Sequence, residues 1–283
     1  MIVERHLQAR GPIDAGHLLA FLGAHAVPGV ETWDAATYAR TLALPNGAAT
    51  ATLSAADDGV RVTLHCDPGD TDEAVRRLTH LCGLDDDPSE AEAALVNDPM
   101  LRPLIRQRPG VRGPGSVDHA ETLVRTVVGQ QVSLAGASAA AGRIVAAAGT
   151  PLGAAGHGLT HLFPTPCQLA ALDPETLPMP RARGRCVVGV ALALAHEPAL
   201  VEDDGALLAL PGVGPWTVDY TRFRTRRDPD VLLAGDLAVR RQVETTGRVG
   251  TPDAVRTLSA AWSPYRSTAM MHLWAAYLDR SAR

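Results

Sequence analysis

Residues 210–220 read LPGVGPWTVDY, and this stretch contains the turn around which the chain is organised. Two glycines flank Val213, and Pro215 stands where a helix would begin. Glycine permits positive φ in a turn, and proline is favoured in the first turn of a helix. The pattern therefore predicts a tight helix–turn–helix, a hairpin over residues 207–220. The unpartnered N–H groups at the start of its second helix would bind an anion such as a phosphate, although the same residues also suit a helical corner without function.

Composition limits the class of protein. The 283 residues are 46% hydrophobic, which suits one large domain or two modest ones. The four cysteines include no CxxC pair, so neither a zinc ribbon nor an iron–sulfur loop is indicated. No signal peptide and no apolar run approaching the length of a membrane span is present. We expect a soluble, cytoplasmic protein with no membrane partner.

Charge is distributed unevenly along the chain. The net charge is −5, but residues 1–100 hold 6 arginines against 16 acidic residues, whereas residues 101–283 hold 20 against 15. Every basic residue in the Lys+Arg count of 26 is an arginine, because the sequence contains no lysine. The asymmetry favours a basic nucleic-acid-binding domain with an acidic appendage, and it is also compatible with an ordinary acidic surface.

The first 88 residues read as a small α+β domain. Strand-like runs separated by the turn sequences PNG and DDG precede a helix over 71–84, for which Thr71 is the expected cap. An earlier helix over 13–27 has Asp14 as its expected cap. The acidic stretch at 85–90 forms a border, and residues 89–283 read as all-helical.

Several features organise this helical region. A break at GQQVS separates two of its helices, and Ser133 is the expected cap of the second. A glycine-rich loop follows at 149–158. We expect the last three helices to begin with capping residues, and Ser263 would serve the final one.

One acidic residue and a group of aromatic residues stand out near the C-terminus. Asp236 lies at the start of a predicted helix, twenty residues after Trp216, where aspartate most often serves as an N-cap. Trp216 and Tyr220 follow helical spacing, and Trp274 recurs in the final helix. Such stripes are more often core than binding pocket, so spacing alone leaves both readings open.

The combination of LPGVG, a following aromatic residue and the later GD resembles the helix-hairpin-helix DNA glycosylase superfamily. The α+β start, LVRTVVGQQVS and WSPYRSTAMMHLW are similar to the 3-methyladenine DNA glycosylase II branch, which excises alkylated bases. This resemblance covers nearly the whole chain. It implies an α+β N-terminal domain, then a mostly α-helical region of two helical subdomains with the active-site cleft between them.

The resemblance also assigns roles to residues. Asp236 matches the catalytic aspartate of the family, and the base pocket is lined by the matches Trp216, Tyr220 and Trp274. Gln131 stands where some relatives insert a bulky side chain into the DNA stack. No cofactor is required, although hairpin carbonyls in this family can hold a monovalent cation. We expect the DNA-binding set to be Leu210, Gly212, Val213, Gly214, Gln131 and Arg240.

The expected reaction is hydrolysis of the N-glycosidic bond after base flipping, which costs about a few kcal/mol in lost stacking. Relatives that also cut the backbone carry a lysine where this chain has Trp216, which predicts a monofunctional enzyme. The expected partner is double-stranded DNA containing damaged bases, bound by a monomer in the cytoplasm, at the nucleoid.

Two alternatives remain open. One is a damaged-DNA-binding paralogue without catalysis, which would have no need of Asp236. The other is a glycosylase for deaminated, oxidised or bulky alkyl lesions. The arginine-rich segment 222–227 departs from the branch pattern, and it is compatible with phosphate contacts or with a solvated helix end.

Overall fold

A computed structural model describes residues 1–153 and 156–281. The N-terminal part contains five strands, β1 (Ile2–Gln8), β2 (Glu31–Trp33), β3 (Thr37–Leu44), β4 (Gly47–Ala56) and β5 (Gly59–His65). They form one antiparallel sheet in the order β1-β5-β4-β3-β2. Two helices, α1 (Ala15–Ala24) and α2 (Thr71–Cys82), pack against this sheet and share its core.

Alternation of side chains explains how the sheet binds these helices. In β5, the buried Val60, Val62 and Leu64 alternate with more exposed residues, as expected of a strand with one buried face. Leu53 of β4 lies opposite Val62, so apolar side chains from adjacent strands share the covered face. The predicted hairpins are confirmed, whereas β2 was not predicted.

The rest of the described chain is mainly helical, as predicted. Its helices are α3 (Ser89–Leu95), α4 (Leu101–Gln107), α5 (His119–Val128), α6 (Leu134–Ala148), α7 (Pro166–Ala170), α8 (Arg181–His196), α9 (Asp204–Ala209), α10 (Pro215–Thr225), α11 (Leu237–Glu244), α12 (Pro252–Ser259) and α13 (Arg266–Ser281). No described helix combines the length and the apolarity needed to cross a membrane.

The predicted glycine-rich loop contains a short antiparallel pair, β6 (Thr150–Pro151) with β7 (His161–Leu162). Residues 154–155 of that loop lie outside the described residues. The domain boundary between residues 88 and 89 stays a prediction. The two parts share a core across it, because Phe21 of α1 packs into a cluster formed mainly by helices α3, α4 and α10–α13.

Caps fix where these helices begin. Asp14 and Ser133 each accept a backbone N–H at the start of α1 and α6, as predicted. Thr71, however, is the first residue of α2 and not its cap, because a 3₁₀ turn capped by Asp67 leads directly into the helix. The final helix begins at Arg266, so the prediction for Ser263 was wrong; the N–H of Arg266 donates to Asp230.

Candidate active site

A cleft of about 530 Å³ lies between the two helical core clusters. One cluster contains α5, α6 and α8, and the other contains α4, α11 and α13. The cleft is lined by side chains from α1, α5, α6, α10, α11 and α13. The chain therefore has a concave site where two helical units meet, the place where ligand pockets commonly form.

The hairpin 207–220 joins α9 to α10 beside this cleft. Gly212 adopts a φ of +88°, and a Cβ added there would lie 2.9 Å from the Cys186 sulfur of α8. The N–H of Val213 donates to the Leu210 carbonyl at 3.1 Å, and the Val213 side chain is buried. Gly214 has open space where a side chain would stand. Gly212 thus allows tight packing, and Gly214 leaves room for a ligand to approach the backbone.

Backbone donors remain available at this turn. Thr217 and Val218 both donate to the Gly214 carbonyl as α10 begins. Among the described residues, the N–H groups of Gly212 and Gly214 donate to no protein acceptor. Together with the N-terminal dipole of α10, these groups form a positive backbone surface that carries no charged side chain.

Five rings form a continuous wall in the cleft. Trp216 and Tyr220 of α10 are stacked, with ring centroids 5.3 Å apart and planes 11° apart. Tyr220 lies 6.3 Å from Trp274 of α13, and Trp274 lies 6.0 Å from Phe21 of α1. Phe21 in turn stacks on His25 at 4.2 Å. The three predicted pocket residues therefore lie in one wall, which α1 extends.

Asp236 reaches the same cleft while capping α11. Its Oδ1 accepts the backbone N–H of Val239 at 3.1 Å and the indole N–H of Trp274 at 3.0 Å. Among the described residues, no donor binds Oδ2. One side chain therefore serves as the N-cap and as the carboxylate of the cleft: Oδ1 makes both hydrogen bonds, and they hold the carboxylate group in place.

Arg224 fixes the orientation of Tyr220. Its Nη1 donates to the Tyr220 hydroxyl at 2.8 Å, and Nη2 donates to the Gly115 carbonyl at 2.8 Å. The guanidinium also lies 5.7 Å from the centre of the Tyr220 ring. Because the hydroxyl is engaged by a half-buried arginine, the ring is held at a defined angle in the cleft.

The other arginines of segment 222–227 are engaged inside the molecule. Arg222 and Arg226 both pair with Asp204, and Arg227 pairs with Asp86 and donates to the Gly113 carbonyl. These ion pairs brace α10, and the interpretation of the segment as phosphate contacts stays a prediction.

The remaining predicted DNA-binding residues lie around the cleft in different ways. Gln131 is exposed at the turn between α5 and α6 and has a φ of +55°. Its neighbour Gln130 donates to the Gly212 carbonyl and the Thr217 hydroxyl, both at 3.0 Å, and so ties this turn to the hairpin. Arg240 does not line the cleft. Its Nε donates to the Gly250 carbonyl at 2.6 Å.

A closed ring of buried charges lies behind the cleft. Arg40 pairs with Glu31 at 3.2 Å and with Glu121 at 3.0 Å, and Arg125 pairs with the same two carboxylates at 2.9 and 2.7 Å. Burial alone would raise the pKa of Glu31, but Arg125 and Arg40 outweigh burial and lower the pKa to about 2. This charge ring joins the sheet to α5, and Arg125 also lines the cleft.

Sequence reasoning did not identify the contribution of α1. Phe21 and His25 are four residues apart on one helical face and line the cleft, but they belong to the segment interpreted as an appendage. Gln130 and Arg224 were also missed. The signal that could have found Phe21 is the scarcity of aromatic residues, since they make up only 4% of the chain.

Comparison with known proteins identifies the family. Residues 4–118 match the AlkA N-terminal domain family. The chain is 41% identical, over 281 residues, to the probable bifunctional transcriptional activator/DNA repair enzyme AlkA of Mycobacterium tuberculosis, with 96% of this chain covered. It spans only 56% of the length of that relative.

Two further proteins are similar to this chain over nearly their whole length. The 3-methyladenine DNA-glycosylase from Archaeoglobus fulgidus has the same fold, with a TM-score of 0.83 at 20% identity and 100% of each chain covered. DNA-3-methyladenine glycosylase 2 of Escherichia coli is 32% identical over 278 residues, which cover 93% of this chain and 94% of that protein. The chain therefore belongs to the DNA-3-methyladenine glycosylase 2 family.

Proposed function

We propose that this chain is a monofunctional DNA glycosylase of base excision repair, which flips alkylated purines such as 3-methyladenine and 7-methylguanine out of double-stranded DNA and hydrolyses their N-glycosidic bonds. The observation that carries this proposal is the hydrogen bond of 3.0 Å between Trp274 and Asp236. It places a carboxylate against the aromatic wall that would hold the base.

The aromatic wall suits a cationic base. N3- and N7-alkylated purines carry positive charge, and the faces of Trp216, Tyr220 and Trp274 are electron-rich. Stacking of a cation on such faces contributes about 0.5–2 kcal/mol, depending on how far water is excluded. The wall would therefore bind damaged purines without needing a specific hydrogen bond to each lesion.

The carboxylate of Asp236 suits the chemistry at the sugar. As the C1′–N bond breaks, its electron pair leaves with the base, and positive charge develops on the sugar ring. Asp236 Oδ2, which is not engaged by protein donors in the described residues, would stabilise that charge or orient the incoming water. Water oxygen then bonds to C1′ and releases one proton, while the alkylated base leaves neutral and needs no acid.

Backbone groups would grip the DNA strand. The N–H groups of Gly212 and Gly214, with the dipole of α10, would bind a phosphate, and Gln131 would enter the base stack. Backbone carbonyl oxygens are suitable ligands for a monovalent cation, and Val213 offers its own in this turn, whereas the Leu210 carbonyl already accepts from Val213. The Gly212 carbonyl already accepts from Gln130.

The product would be an intact abasic strand. A glycosylase that also cuts the backbone needs an amine to form a Schiff base, and the sequence contains no lysine. We propose that the protein acts as a monomer in the cytoplasm, on the nucleoid.

Single-turnover excision from a panel of duplexes tests this function. The panel contains methylated purines, hypoxanthine and 8-oxoguanine, with borohydride present in parallel reactions. We expect release of methylated bases, strand breaks only after hot alkali and no borohydride-trapped protein–DNA adduct. Binding without release of any base would instead favour a non-catalytic paralogue, and release restricted to hypoxanthine or 8-oxoguanine would favour the specialised-glycosylase alternative.

A further inference from the structure

His25 holds its imidazole in a defined orientation at the end of the aromatic wall. Its Nδ1 lies 2.8 Å from the Phe21 carbonyl, and a carbonyl can only accept, so Nδ1 carries the proton. The ring is stacked on Phe21 at 4.2 Å. The backbone is fixed as well, because the His25 N–H donates to the Leu22 carbonyl and the His25 carbonyl accepts from Arg125. The tautomer and the ring position are therefore both determined.

The imidazole is neutral at physiological pH. Burial lowers the pKa of His25 to about 4, and the positive charges of Arg224 and Arg125 oppose its protonation further. A neutral ring with its proton on Nδ1 has a lone pair on Nε2. No hydrogen bond engages Nε2 among the described residues, and His25 lines the cleft.

The other polar atoms of the aromatic wall are already committed or are donors. The Tyr220 hydroxyl accepts from Arg224, and the Trp274 indole N–H donates to Asp236. The indole of Trp216 offers only a donor. Of the five rings in the wall, His25 alone therefore has a lone pair in the ring plane that is available to a ligand.

We propose that His25 is a specificity-determining residue, whose Nε2 accepts a hydrogen bond from an N–H on the edge of the extruded purine. This assignment rests on the proposed function and extends it, because it predicts a preference that stacking alone would not produce. A base with an N–H on its Watson–Crick edge satisfies the acceptor, whereas a base that lacks one leaves the lone pair unpaired and dehydrated.

Two neutral lesions separate this contact from charge and stacking. Hypoxanthine carries an N1–H on its Watson–Crick edge, whereas the added ring of 1,N6-ethenoadenine blocks that edge and leaves no N–H. Both are flat purines without positive charge, so the aromatic wall treats them similarly. Any difference that depends on His25 then reports the hydrogen bond.

The experiment compares the wild-type protein with His25→Leu and His25→Gln. Leucine removes the acceptor at similar size, and glutamine restores one through its side-chain carbonyl. Single-turnover excision of both lesions is measured, together with binding of both free bases by quenching of tryptophan fluorescence. His65→Leu, a substitution on the exposed end of β5, controls for loss of a histidine, and circular dichroism verifies folding.

We expect His25→Leu to reduce excision and binding of hypoxanthine about 5- to 10-fold more than those of 1,N6-ethenoadenine, as for one lost hydrogen bond. His25→Gln should recover part of this selectivity, and His65→Leu should not alter it. An unchanged ratio in a folded His25→Leu protein would overturn the assignment. If the wild-type protein excises no lesion, the proposed function fails, and the binding ratio still decides the role of His25; absence of base binding as well would overturn both.

Discussion

The two ends of the aromatic wall differ in how the sequence encodes them. Trp216 and Tyr220 follow the hairpin directly, and Asp236 comes soon after, so a short stretch of chain supplies one side of the cleft. The other end comes from Phe21 of α1 and from His25, which directly follows this helix; both reach the cleft because the sheet places the helix against α13. A site assembled locally is visible as a motif, whereas a site completed by tertiary packing is not.

The charge ring joins the N-terminal part, which supplies one of these ends, to helix α5. Glu31 precedes β3 and follows α1, and it is bound by Arg40 of β3 and by Arg125 of α5. Arg125 also donates to the carbonyl of His25. The N-terminal part is therefore joined to the cleft by buried ion pairs, and a purely appended domain would not need them.

The largest expected effect comes from breaking this ring with Arg40→Met. Arg40 is only 2% exposed, and its removal leaves two buried carboxylates sharing a single arginine. Breaking such a buried pair typically lowers the free energy of unfolding by about 3–5 kcal/mol. Urea denaturation measures the loss. The control is Arg76→Met, whose exposed pair with Glu73 should contribute less than about 1 kcal/mol.

The same comparison has a defined pH dependence. The pKa of Glu31 is lowered to about 2 in the folded protein from an ordinary value of 4.5, so folding favours its charged form. The contribution of Glu31 to the free energy of unfolding is therefore complete above its pKa in the unfolded chain, and it is lost as the pH falls towards 2. The stability difference between wild type and Arg40→Met should shrink over that range.

Equal stabilities of Arg40→Met and Arg76→Met at neutral pH would show that the ring does not join the two parts.

A smaller effect is expected from Trp216→Ala, which shortens the locally encoded end of the wall. Trp216 is half-buried and stacks on Tyr220, and loss of base–aromatic stacking typically costs about 1–3 kcal/mol. Excision of cationic 3-methyladenine should fall more than excision of neutral hypoxanthine, because both bases stack on the indole but only the cation gains the added cation–π attraction. Single-turnover rates on both lesions measure this. Equal losses from a variant with native circular dichroism would contradict the cation–π role.

Sequence patterns were sufficient for the fold wherever one face of an element was apolar. The strand β5 and the caps Asp14 and Ser133 could be predicted, because each is determined by residues that are close together in the sequence. Thr71 was misassigned because a 3₁₀ turn precedes α2, and it shifts the helix start by one residue. The strand β2 has only three residues, which is too short for a periodic pattern.

The candidate site was predictable only in part, for a physical reason. The hairpin and the spacing to Asp236 are local, and the resemblance to a family supplied their roles, which stay predictions. Arg40 and Glu121 lie far apart in the sequence, and only the folded structure brings them together as a buried ion pair. The arginines of segment 222–227 could not be assigned from composition, because Asp204 and Asp86, which pair with Arg226 and Arg227, lie on other parts of the chain. Charge counts therefore did not locate the proposed DNA-binding surface.

The central claim is that the carboxylate in the cleft, and not the cleft alone, breaks the glycosidic bond. Single-turnover release of 3-methyladenine by Asp236→Asn tests it most directly. Asparagine retains an oxygen that can cap α11 and accept from Trp274, so folding should be preserved while the negative charge is lost. We predict a loss of about 10²-fold or more in excision rate, with unchanged thermal unfolding. An excision rate that merely follows the folded fraction of the variant would contradict the claim and leave Asp236 as a helix cap.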